Sequence, residues 1–167
     1  MVKETHLGFF DRNDKREVVD ESLGLRVVSE GDYIRVFVGD RNVLFIGATP
    51  QQFLQYYRES YAVIHLNFGA TSHNQRRLEF SPGEQDELRR DIALHWIRYY
   101  LSTGQLVRVM PDDLSHPQTW SIVLNKAESK YGSRSADAMW LAAHTVGSSL
   151  QQFEAWRRVE DDRLDNM

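Results

Sequence analysis

Residues 81 to 103, SPGEQDELRRDIALHWIRYYLST, constrain the fold more than any other stretch of this chain. Ser81 can cap a helix with its hydroxyl, Pro82 suits the first helical position, and Glu84 can reach back to the Ser81 amide. Leu88, Ile92, His95, Trp96 and Tyr99 recur at helical spacing. Ala93, Leu94, Ile97, Tyr100 and Leu101 make the second half apolar on nearly every side. A helix of that kind is enclosed on several faces, so the rest of the chain must supply the enclosing elements. Gly104 is the expected stop, in the left-handed conformation that ends many helices.

The stretch before this helix reads mainly as strand. Leu25–Val28, Tyr33–Val38 and Val43–Ile46 are short β-type runs separated by Glu30-Gly31-Asp32 and Gly39-Asp40-Arg41-Asn42. Such connections are too short for crossovers, so the three predict an antiparallel meander. Within the second run Ile34, Val36 and Val38 face one way and Tyr33, Arg35 and Phe37 the other. Thr49-Pro50-Gln51-Gln52 repeats the helix-start signature ahead of Phe53, Leu54 and Tyr57. Alternation then predicts a strand over 61–68, with Ala62, Ile64, Leu66 and Phe68 on one face and Tyr61, Val63, His65 and Asn67 on the other. Arg76–Phe80 is expected to return beside it.

Beyond the central helix, Gln105–Met110 predicts a last strand. Ser115-His116-Pro117-Gln118 opens a helix carrying Trp120, Val123, Leu124, Ala127 and Tyr131, closed by Gly132. A final helix, capped by Ser133 or Ser135, carries Met139, Ala142, Ala143, Val146, Leu150, Phe153 and Trp156, with Gly147 tolerated in its interior. Residues 1–22 form a polar segment in which Leu7, Phe9 and Phe10 are the apolar cluster, and 11–20 read as surface loop or short helix. Residues 160–167 form an acidic, frayed tail. The expected architecture is α+β: a single globular domain over 1–167, with a mainly antiparallel sheet (the meander plus later strands) and about four helices packed on it.

Composition narrows the function classes. The 167 residues are 41% hydrophobic and 26% charged, as in ordinary folded domains. There is no cysteine, which excludes disulfides, thiolate nucleophiles and thiolate-ligated metals. No signal-peptide core or membrane-length apolar run occurs, so a soluble cytoplasmic protein without membrane association is expected. A net charge of −4 is not the usual footprint of a nucleic-acid binder. The Arg pairs Arg76–Arg77, Arg89–Arg90 and Arg157–Arg158 read as solvated ion pairs.

Several patterns suggest chemistry. Asp112, after Pro111, together with Glu128 and Lys130 supplies two carboxylates for a hard cation and a lysine for a phosphate. Their spacing resembles that of the PD-(D/E)xK nucleases, which implies a metal-dependent phosphodiester hydrolase. In that family the E-x-K pair lies on a strand, whereas Trp120 to Tyr131 here has helical spacing. No two of the six histidines sit at the i,i+4 spacing of a helical zinc site. His95 reads as a core residue. His65 and Asn67 share the more polar face of their predicted strand, and His73 in the following loop is placed to converge with them. Asp137, Trp140 and His144 share one side of the last helix and read as a surface face. Most aromatics fall on core stripes. Tyr33, Arg35 and Phe37 do not: unless a helix covers them, they form a protein-binding patch, or a stacking platform for single-stranded nucleic acid aided by Arg76 and Arg77.

The leading expectation is therefore a small protein that acts by binding another protein, such as an inhibitor, immunity protein or adaptor of bacterial or phage type. Its binding residues would be Tyr33, Arg35, Phe37, His65, Asn67 and His73, with no catalytic residue, cofactor or metal. The alternatives are the hydrolase built on Asp112, Glu128 and Lys130, and a nucleic-acid-binding module.

Overall fold

The structure is a computed structural model describing residues 2–6 (backbone only), 16–103 and 117–167. Among these the strands are β1 (Val2–His6), β2 (Arg16–Asp20), β3 (Leu25–Glu30), β4 (Tyr33–Val38), β5 (Arg41–Ile46), β6 (Thr71–His73) and β7 (Arg76–Leu78). The helices are α1 (Pro50–Val63), α2 (Pro82–Thr103), α3 (Pro117–Tyr131), α4 (Ala136–Thr145) and α5 (Leu150–Asp165). The fold is α+β, and it separates into two compact units. One comprises Met1–Val63 and Ala93–Pro111, the other Ile64–Ile92 and Asp112–Met167.

The first unit is built on a five-stranded antiparallel sheet in the order β1-β2-β3-β4-β5. Two Gly-Asp turns set its register. Gly31 and Gly39 take positive φ values of 74° and 54°, as the first central residue of a two-residue hairpin loop requires. They place Val36 opposite Val27 and Val43, and Ile34 opposite Phe45. Val18, Leu25, Val27, Ile34, Val36, Val38 and Phe45 are thereby buried on one face. α1 closes over this face, and its Phe53 ring lies 4.8 Å from that of Phe45. The helix start is the expected capping box: the Thr49 amide donates to Gln52 Oε1 (2.9 Å) and the Gln52 amide to Thr49 Oγ1 (3.2 Å).

Asp20 ties α1 to β2. It is 1% exposed and accepts from Arg58 Nε (2.9 Å) and the Ser22 hydroxyl (2.6 Å). Burial works against its charge, but the hydrogen bonds from Ser22 and Arg58, with the Arg58 charge, outweigh it and hold the carboxyl below the usual aspartate range.

Among its described residues the second unit is mainly helical, with the β6–β7 hairpin as its strands. α2 begins with the expected capping box, the Ser81 amide donating to Glu84 Oε1 (2.8 Å) and the Glu84 amide to Ser81 Oγ (3.2 Å). Lys126 and Lys130 of α3 pair with Glu87 and Glu84 of this first part of α2. Trp120, Phe153 and Trp156 pack ring against ring, with centroids 5.1–5.5 Å apart. The buried residues of α2 include Leu88, Ile92, Ala93, Trp96 and Ile97, as its apolar pattern requires.

Several expectations need correction. Residues 61–63 continue α1, and 64–68 are neither helix nor strand, so no strand runs over 61–68. Phe53, Leu54, Tyr57 and Ser60 already form a buried helical stripe, and it carries the helix past the point where alternation begins. Arg76–Leu78 pairs with Thr71–His73 in its own two-stranded sheet. Residues 16–20, read as loop or short helix, are strand β2, with β1 beside it. The single C-terminal helix is two helices, making five among the described residues. Gly147 has φ +73° and ends α4; the Ser148 amide donates to the Ala143 carbonyl (2.9 Å) and the Gly147 amide to that of His144 (3.1 Å). Ser149 then caps α5 by accepting from the Gln152 amide, 3.1 Å. The Leu7/Phe9/Phe10 cluster, Gly104 and the Gln105–Met110 strand lie outside the described residues.

Two outcomes follow. Gly147→Ala forces a side chain into the left-handed region and should lower unfolding free energy by about 1–2 kcal/mol, measured by urea denaturation. Asp20 has a folded pKa below its unfolded value of about 3.9, so its contribution is complete above that value and is lost as pH falls through the folded one. The stability gap between wild type and Asp20→Asn should therefore shrink when urea titrations move from pH 7 toward pH 3. A gap independent of pH would show that the charge of Asp20 does not matter.

Candidate functional site

Alternation along the strands leaves one side of the sheet without the α1 core. There β4 presents Tyr33, Arg35 and Phe37, and the register sets Ile46, Leu44 and Asn42 of β5 directly opposite them. On the other flank Glu30, Val28 and Arg26 of β3 face the same three residues. Tyr33 is 37% exposed, Leu44 42% and Ile46 74%. Among the described residues no helix hides this row. The apolar side chains are contiguous: Tyr33 and Ile46 are cross-strand neighbours, and Leu44 precedes Ile46 on the same side of β5.

The charges on this face are internally matched. Arg35 donates through Nε to Glu30 Oε1 (2.8 Å) and through Nη1 to Asn42 Oδ1 (2.9 Å). The Glu30 hydrogen bond raises the guanidinium pKa above its ordinary value, so Arg35 stays charged at any working pH. Arg26 pairs with Glu17 of β2 and lies over the Phe37 ring, 5.0 Å from its centroid. Phe37 is accordingly half-buried under its neighbour. The result is an aromatic and aliphatic row bordered by two ion pairs.

A second cluster surrounds the β6–β7 hairpin. His73 packs its ring against Trp140 (5.1 Å between centroids) and lies 3.9 Å from the Asp137 carboxylate, which Arg76 also engages. His144 makes a 2.9 Å hydrogen bond with the Gly69 carbonyl, and the Asn67 amide donates to the Thr145 carbonyl, 2.9 Å. Asn67 and His73 thus both meet α4. His65 does not join them; it is an exposed residue of the irregular connection after α1. Asp137, Trp140 and His144, read as a free surface face, instead dock the hairpin and are half-buried.

The E-x-K residues are separated by the helix that carries them. Two positions apart on α3, Glu128 and Lys130 point to different sides. Glu128 meets Arg157 (3.4 Å) and accepts the Arg134 amide, while Lys130 meets Glu84 at 2.6 Å. Asp112 lies outside the described residues. Among the described residues no group of three His, Asp or Glu is placed to hold a metal ion, and no helix is long and apolar enough to cross a membrane. Arg76 is engaged by Asp137, and Arg77 is an outlying residue paired with Glu79 at 3.6 Å.

Leu44 and Ile46 belong to the site but were not singled out by sequence. The signal was present, because a two-residue turn at Gly39-Asp40 places residues 44 and 46 across from 35 and 33. Comparison with known protein families, characterised proteins and solved structures yields no match.

The hairpin tip offers a test of its geometry. Asn74 and Gln75 both have positive φ, 50° and 67°. Asparagine tolerates this conformation, whereas glutamine has no such excuse. Gln75→Gly should raise stability by about 1 kcal/mol in thermal or urea unfolding.

Proposed function

We propose that the protein acts by binding another protein through the outer face of its sheet. The observation that carries this reading is the exposed row Tyr33, Leu44 and Ile46, set beside arginines already neutralised by Glu17 and Glu30. Tyrosine and arginine beside exposed aliphatic side chains make effective protein-binding centres, and the bordering ion pairs supply a polar rim that fixes orientation. A nucleic-acid surface would instead offer uncommitted guanidiniums to phosphates. Here Arg26 and Arg35 are both committed to carboxylates, which favours a protein partner over a polyanion. An exposed row of this kind suits an inhibitor, an immunity protein or an adaptor of bacterial or phage type.

The test places a carboxylate in the middle of the row. Ile46→Asp and Leu44→Asp should abolish capture of the partner from the native cell. Both positions are exposed, so stability should change by no more than about 0.5 kcal/mol. A partner retained undiminished by both variants would remove this face from consideration. Steeply salt-dependent binding of single-stranded DNA or RNA, lost in Tyr33→Ala, would favour the nucleic-acid alternative instead.

A further inference from the structure

β5 is the outermost strand on its side of the sheet among the described residues. The Gly39-Asp40 turn makes Val38 and Arg41 the first hydrogen-bonded pair, and antiparallel pairs alternate from there. Arg41, Val43 and Phe45 therefore turn their backbone groups toward β4, and Asn42, Leu44 and Ile46 turn theirs outward. One contact confirms the direction: the Leu44 carbonyl accepts from Arg98 Nη2 of α2, at 3.2 Å. A row of outward amides and carbonyls is a template for another strand. Beside it lies a cleft of about 370 Å³, lined by Leu44, Phe45, Ile46, Arg98, Leu101 and Ser102.

Charge selects among possible occupants. Arg98 lies over the Phe45 ring, 4.8 Å from its centroid, and among the described residues it has no carboxylate partner. Among the described residues it is the single charged side chain lining the cleft. A second copy of this chain is a poor occupant, because antiparallel self-pairing centred on Leu44 brings Arg98 against its own counterpart. A strand bearing an acid satisfies backbone and side chain together.

We infer that the partner binds by adding an extended segment to the β5 edge, with apolar side chains on the Leu44/Ile46 side and an aspartate or glutamate facing Arg98 across Phe45. This rests on the protein-binding reading given above and specifies its mode. The added strand pairs with the outward groups of Asn42 and Ile46 and with the Leu44 amide, the Leu44 carbonyl already accepting from Arg98, which gives affinity independent of sequence. Leu44 and Ile46 read the alternate side chains on one face, and Arg98 reads the acid on the other.

The experiment is selection of random decapeptides displayed against the immobilised full chain. The enriched peptides are then synthesised and their binding measured by calorimetry. Enrichment of alternating apolar sequences with one acid is the expected result. Arg98→Glu should weaken such a peptide about tenfold and should recover affinity for the same peptide with the acid replaced by lysine. That recovery also shows that the variant is folded. The bound peptide should slow hydrogen exchange of the Asn42, Leu44 and Ile46 amides. Peptides that bind without protecting those amides, peptides indifferent to the Arg98 swap, or a solution dimer that protects the amides unaided would each overturn strand addition. If Ile46→Asp still abolishes partner capture in those cases, the protein-binding face stands and only its mode is wrong.

Discussion

The pairing register of β4 is the constraint on which the sheet-bearing unit depends. Its six residues send Ile34, Val36 and Val38 into the core and Tyr33, Arg35 and Phe37 to the other side. Side chains in a strand alternate with a period of two, so a slip of one residue would bury Arg35 and expose Val36. Two tight turns prevent that slip. Because Gly31 and Gly39 begin both loops, β3 and β5 are each set opposite β4 by the turns that join them. The same lock that builds the core also fixes which groups the molecule shows to its surroundings.

What the sequence made legible were features whose cause is local. Capping boxes at Thr49–Gln52 and Ser81–Glu84 involve residues three apart, and both formed as read. The β4 pattern was equally clear, as was the end of α3 at Gly132; the second turn is shorter than read, because Arg41 and Asn42 already pair with β4. Failures came where two periods overlap or a cause is remote. Over 61–63 the same residues satisfy a strand and the tail of a helix, and the helix already nucleated by its cap prevailed. Gly147 could be an interior residue or a terminus. The answer lay with Ser149, which caps a new helix immediately afterwards. In β2, charged residues flank Val18 and Val19 and disguise a strand whose partners are supplied by β3. For the site, Tyr33, Arg35 and Phe37 could be found by alternation, and Leu44 and Ile46 by counting through a hairpin. Arg98 could not, since 54 residues separate it from Leu44.

The distribution of charge follows one rule across both units. Carboxylates and cations are mostly matched to neighbours already held in place by packing, as with Glu87 and Lys126, Glu128 and Arg157, or Arg134 and Asp161. Where such a pair is exposed, as Arg134–Asp161 is, it contributes little energy singly. Their larger effect is to leave few unmatched charges among the described residues, which makes a cation such as Arg98 conspicuous. They also explain why residue types that suggest hydrolysis in the sequence serve in the fold as clasps between helices.

The division of the chain has a further meaning for how the protein is made. The unit that holds the sheet takes in residues up to Val63 and then Ala93 onward, with the whole of Ile64–Ile92 assigned elsewhere. No single cut can therefore release it intact as one continuous fragment. At about 5–20 residues per second, a ribosome finishes the meander seconds before it delivers Trp96 and Ile97. Newborn β3 and β4 must pass that interval with part of their unit still unsynthesised.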